Sequence, residues 1–87
     1  MMSKRDRVLD IVDRMPQLNK AAFYSDPKVV ALVETLHRRW SEHGNLNEPI
    51  DYATEEELEE LLELARHYAS LSPWEAYKIL RERSEGQ

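Results

Sequence analysis

Glu34 and His37 stand three residues apart, and Glu63 and His67 stand four apart. On a helix, either spacing puts a carboxylate and an imidazole on one face, about a turn from each other. Glu-x-x-His is half of a two-metal carboxylate site in a helical bundle, which takes two such pairs and two further glutamates. One pair is present. A homodimer would supply the second, with Glu60 or Glu63 adding carboxylates, but the simpler expectation is a satisfied His37 beside the core. Glu63 and His67 are expected to stabilise a helix surface; the alternative is a proton-responsive pair. There is no cysteine, which excludes disulfides, thiolate metal sites and cysteine nucleophiles. No serine sits in a nucleophile elbow, and no glycine-rich phosphate loop is present. The expectation is a non-catalytic protein with no metal, no cofactor and no small-molecule substrate.

Charge is the next chemical signal. The 87 residues carry a net charge of −5. Nine acids and no Lys or Arg fall between Glu42 and Glu63, a net of −9; the remainder holds 12 basic and 8 acidic residues, a net of +4. Such a run reads first as a solvated helix face. The sharper reading is an acidic patch that meets a basic partner, or the chain's own basic ends.

Elements must position these groups, and their punctuation is clear. With two glycines and four prolines, the composition favours helix over strand. Ser3 and Asp6 have N-cap and N3 spacing, Val8, Ile11, Val12 and Met15 draw one apolar stripe, and Pro16 stops the segment. Leu18, Ala21 and Ala22 suggest a short helix, with Phe23 and Tyr24 anchored against the core. Asp26 and Pro27 open a helix over about 27–43 whose face holds Val29, Val30, Leu32, Val33, Leu36, His37 and Trp40, and Gly44 ends it. Residues 45–53 read as a loop, with Ile50 and Tyr52 tucked beneath the bundle. Thr54 and Glu57 form a capping box for a helix whose inner face is Leu58, Leu61, Leu62, Ala65, Tyr68 and Ala69. Ser72, Pro73 and Glu75 repeat that start for a last helix, and residues 84–87 are expected to fray. The fold class is therefore all-α: a single domain over 1–87, built as a small bundle of four or five short helices, the last two forming a helical hairpin. No stretch is long and apolar enough to span a membrane, and the N-terminus lacks a secretory signal, so the expected location is the cytoplasm.

The stretch ELARHYASLSPWEAYKILRER, residues 63–83, resembles the helix-turn-helix of transposase-type and homeodomain-like DNA-binding domains. Leu64, Ala65 and Tyr68 match the first helix, Leu71, Ser72 and Pro73 the turn, and Tyr77, Leu80, Arg81 and Arg83 the second. The resemblance implies a DNA-reading helix with Lys78, Arg81 and Arg83 on the nucleic acid. Two departures stand against it. Ala69 and Ser70 occupy the place of a single glycine, and the exposed start of the second helix is Trp74-Glu75 rather than the polar and basic residues that read bases and phosphates. The acidic preceding helix would also repel phosphates.

Seven aromatic residues in so short a chain exceed what its core can hide, and Trp74, in the first turn of a helix, is the one expected to stay partly exposed. Trp and Tyr dominate interface hot spots. In size, acidity and helix content the chain resembles phage-encoded host inhibitors and antitoxin-like regulators. The function expected is binding of a basic protein partner by an adaptor, inhibitor or regulator. The surface would comprise Trp74, Tyr77 and the acids Glu55, Glu56, Glu59, Glu60 and Glu63; a homodimer is possible, nucleic acid less favoured.

Overall fold

Each expected start signal makes its helix. The structure is a computed structural model that describes residues 1–86. In it, Ser3 accepts from the Asp6 amide to open α1 (Lys4–Arg14). The second helix, α2 (Gln17–Ser25), follows directly after Pro16. Asp26 accepts from the amides of Lys28 and Val29 at the head of α3 (Pro27–Glu42). Capping boxes at Thr54–Glu57 and Ser72–Glu75 open α4 (Glu55–Ser70) and α5 (Pro73–Glu85). Each cap satisfies amides that have no intrahelical partner. No strand occurs among the described residues. The helix α5 continues to Glu85, and the Gly86 amide still donates to the Glu82 carbonyl at 3.0 Å, so residues expected to fray are helical; Gln87 lies outside the described residues.

The exit from α3 is a Schellman turn. Gly44 adopts φ +72°, its amide donates to Ser41 O at 3.1 Å, and the Asn45 amide donates to Trp40 O at 2.9 Å. A side chain on the left-handed side of φ is disfavoured, which is why glycine stands there. The loop that follows contains a 3₁₀ turn, Pro49–Tyr52. Trp40 Nε1 ties it back to α3 by donating to Asn47 O at 3.0 Å, and within the loop the Tyr52 hydroxyl donates to Leu46 O at 2.7 Å.

The molecule is a slab, 38 × 34 × 19 Å. Helices pack at about 8–10 Å between axes, so the slab is two helices deep and every helix keeps one face toward solvent. Packing runs chiefly α1 on α4, α2 on α5, α2 on α4, and α3 on the 3₁₀ turn. The last two helices are consecutive across Leu71 and Ser72, but α5 takes its main packing from α2, where the hairpin reading expects α4. Ala76, fully buried, lets α5 approach α2 closely. The core joins Val8, Val12 and Met15 of α1, Ala22 and Phe23 of α2, Val29 and Leu36 of α3, and Leu61, Leu62, Ala65 and Tyr68 of α4.

Four side chains depart from the sequence expectations. Tyr24 is 51% exposed although its neighbour Phe23 is buried. Adjacent positions on a helix point about 100° apart, and only one of the two faces the core. Val30 and Ala69 lie outward at the edges of their stripes for the same reason. His37 is exposed, its ring edge-on to Trp40 at 5.8 Å, instead of satisfied beside the core.

Candidate protein-binding surface

The last helix keeps an apolar inner face but turns its two aromatics outward and one arginine inward. Its inner face carries Ala76, Ile79, Leu80 and Arg83; its outer face carries Trp74, Tyr77, Lys78 and Arg81. Trp74 is 65% exposed and Tyr77 42%, and their rings stack with centroids 5.6 Å apart and planes 25° from parallel. A stacked pair is a rigid, preformed apolar plate with little side-chain freedom left to lose on binding. Lys78 and Arg81 lie one turn further along the same face, and Arg81 Nε pairs with Glu85 Oε1 at 3.0 Å.

Arg83, grouped by sequence with Lys78 and Arg81 as a contact for DNA, points the other way. Its guanidinium donates to Ala22 O and Ser25 Oγ, both at 2.7 Å, and to the Tyr68 hydroxyl at 2.6 Å. It also lies 3.6 Å from Asp26 Oδ2 and 5.6 Å over the Tyr68 ring. Tyr68 in turn donates to Asp26. A guanidinium satisfied on the end of α2 is withdrawn from any phosphate. Burial pushes the Asp26 carboxyl up, but the Tyr68 hydroxyl, the amides of Lys28 and Val29 and the Arg83 charge outweigh it and hold the carboxyl below its usual range. Burial pushes the Tyr68 hydroxyl up; Arg83 opposes that and Asp26 adds to it.

The acidic segment divides by face. On the flank toward α1, Lys4 Nζ sits 3.3 Å from Glu55 and 3.2 Å from Glu59. On the opposite flank Arg39 grips Glu57 with both terminal nitrogens and also donates to Tyr52 O at 3.0 Å. That guanidinium, with the Thr54 amide, holds the Glu57 carboxyl below its usual range. In the loop, Arg5 reaches Asp51 at 2.6 Å and Glu48 at 3.1 Å. Glu56, Glu60 and Glu63 recur at i, i+4 and i+7 opposite the buried leucines; all are exposed, and none forms an ion pair among the described residues. His67 continues this stripe, exposed and without a hydrogen bond to Glu63. Of the five acids expected at a partner surface, Glu55 and Glu59 are thus engaged by the chain's own basic end, and Glu56, Glu60 and Glu63 are left open. The basic residues at the two ends of the chain do not merge into one footprint, because α1 packs on α4 and α5 on α2.

Two features were not anticipated from sequence. Asn19 is fully buried, and its Nδ2 donates to the carbonyls of Tyr68 and Leu71, both at 2.8 Å, closing the C-terminal end of α4 from outside. Its Oδ1 has no partner. A lone asparagine in a nine-residue segment gives no sequence signal of such a role. The second is an apolar groove of about 270 Å³ between α1 and α3, with Val8, Phe23 and Leu36 among its walls and Asp13, His37 and Glu48 at its mouth. Five separate segments build it, so periodicity within any one of them cannot reveal it. No cluster of three or more metal-ligating side chains occurs among the described residues, and Glu34 and His37 are both exposed. No helix among them is long and apolar enough to cross a membrane.

No family model matches the chain, and neither a curated protein nor a solved structure matches it significantly. The helix-turn-helix resemblance therefore stays on residues 63–83 alone. Around those residues, α5 carries an aromatic plate on its outer face and α4 carries an open acidic stripe on its own.

Proposed function

We propose that this chain is a non-catalytic binding protein, acting as an adaptor, inhibitor or regulator, that docks a protein partner through the Trp74–Tyr77 plate together with Glu56, Glu60 and Glu63. The observation that carries the reading is the outward placement of the stacked pair. Folding does not require it there, because α5 is already anchored by Ala76, Ile79, Leu80 and Arg83. Large aromatics on a rigid surface are the commonest hot spots of protein interfaces. The open carboxylates suit a partner with a basic patch and would speed its approach.

DNA reading by α5 is less well supported. Lys78 is the one cation on its outer face without an ion pair among the described residues; Arg81 is paired, and Arg83 is turned inward, half-buried and bonded to α2 and Tyr68. A duplex lying along α4 and α5 would also meet the acidic stripe on α4. The discriminating experiment is fluorescence anisotropy of a labelled mixed-sequence duplex titrated with the protein at low salt, beside affinity capture with wild type, Trp74→Ala and a triple Glu56/Glu60/Glu63→Lys variant. Under the proposed reading the duplex does not bind, and both variants lose the partner captured by wild type. Duplex binding that weakens steeply with salt, and further on Lys78→Ala, would overturn it.

A further inference from the structure

The groove between α1 and α3 and the plate on α5 share no residue, and their chemistry is complementary. The groove is apolar within, and its polar residues, Asp13, His37 and Glu48, are all exposed at the mouth. Asp13 forms no ion pair among the described residues. The outer face of α5 presents an aromatic pair with Lys78, Arg81, Glu82 and Glu85 behind it; Arg81 is paired with Glu85, which leaves Lys78 as the open cation. We propose that the chain associates head to tail, the Trp74–Tyr77 plate of one copy seating in the α1–α3 groove of the next, with Lys78, which forms no ion pair among the described residues, meeting Asp13 at its mouth. This deepens the reading above by naming a second copy as a partner of the same aromatic surface, and it rests on that reading.

Size and wall chemistry favour a protein side chain over a small ligand. Small-molecule sites generally hold about 300–1,000 Å³ and a few convergent buried polar groups that fix orientation. This groove has about 270 Å³, and its polar groups stand at the rim facing water. One tryptophan entering it would bury about 200 Å². The chain does not fill its own groove, because Arg83 and Ala76 hold α5 on α2. Since the two patches are different, the contact is heterologous, and repetition gives a ring or an open chain of copies rather than a two-fold dimer.

Analytical ultracentrifugation over a wide concentration range tests the proposal, with circular dichroism confirming that each variant folds. Trp74→Ala and Asp13→Lys both alter exposed side chains. Wild type is expected to gain mass with concentration, and each variant to weaken that association about tenfold or more. A 1:1 mixture of the two variants is the decisive arm. The intact groove of the Trp74→Ala copy accepts the intact plate of the Asp13→Lys copy, so the mixture forms dimers and stops there. Assembly of Asp13→Lys as readily as wild type, or a mixture that stays monomeric while wild type assembles, would overturn the head-to-tail contact. Wild type that remains monomeric to millimolar concentration also overturns it. That last outcome leaves docking onto a different protein standing, whereas loss of both self-association and captured partner in Trp74→Ala is the signature of one shared surface.

Discussion

The two C-terminal helices both turn aliphatic residues inward, but α5 departs from α4 at two side chains. In α4 the leucines face in and the glutamates face out, as expected when apolar area leaves water and charge stays in it. In α5 an arginine faces in and a tryptophan faces out. Both helices start with the same Ser/Thr-x-x-Glu capping box, so the difference lies in what each packs against. α4 meets apolar stripes from α1 and α2. α5 meets the end of α2, where Ala22 O and Ser25 Oγ need donors, and a guanidinium supplies them. The polarity of a helix face is set by the surface it must cover, and that surface can include an open helix terminus.

The comparison breaks most severely at Asn19, which closes the C-terminal end of α4. Asn19→Asp would replace two donated hydrogen bonds with a buried carboxylate facing two carbonyls. A loss on the order of 4 kcal/mol is expected in urea unfolding; unchanged stability would mean that Asn19 is a bystander. Next comes Arg83→Ala, which leaves Tyr68, Asp26 and the end of α2 short of a partner. About 2–3 kcal/mol should be lost, with Arg81→Ala as the contrast, costing no more than a surface substitution. Should the two arginines prove equivalent, the inward and outward faces of α5 have been assigned wrongly.

Acid titration sharpens the contrast on α4. Arg39 and the Thr54 amide depress the Glu57 carboxyl, and a depressed carboxyl contributes stability that is present above its unfolded pKa and lost as pH falls through its folded one. Asp26 acts in the same direction. Stability should therefore hold near neutrality and decline below the ordinary carboxylate range. Glu57→Gln should cost about 1 kcal/mol at pH 7 and flatten that decline, whereas Glu60→Gln should leave the profile unchanged. The smallest effect is expected at Trp74→Ala, within about 0.5 kcal/mol of wild type by thermal unfolding. A large loss there would return the indole to the list of residues that folding requires.

Local structure was largely legible in the sequence. Caps, proline stops and the Gly44 exit depend on neighbours within four residues, and they appear at the expected places. α4 was legible for a further reason: its apolar stripe is broad and its acids are excluded from it. The site was legible in part. Trp74 is exposed as expected because a first-turn position has few neighbours. The split between engaged and open glutamates was not legible, because Lys4 and Glu59 meet only once α1 lies on α4. Arg83 was misread because burying a charge is costly, and its compensating groups lie 58 and 61 residues away. The groove was invisible for the same reason, being a space between elements rather than a property of one.

The Arg83 bonds to α2 carry a kinetic meaning as well as an energetic one. They close loops of about sixty residues, and Asn19 closes others of 49 and 52. Long loops are slow to close, so α4 can form on local signals well before its end is stoppered and α5 is latched. The same order in reverse makes α5 the element that opens first from the folded state. Its amides should exchange with deuterium through local opening while those of α4 await global unfolding.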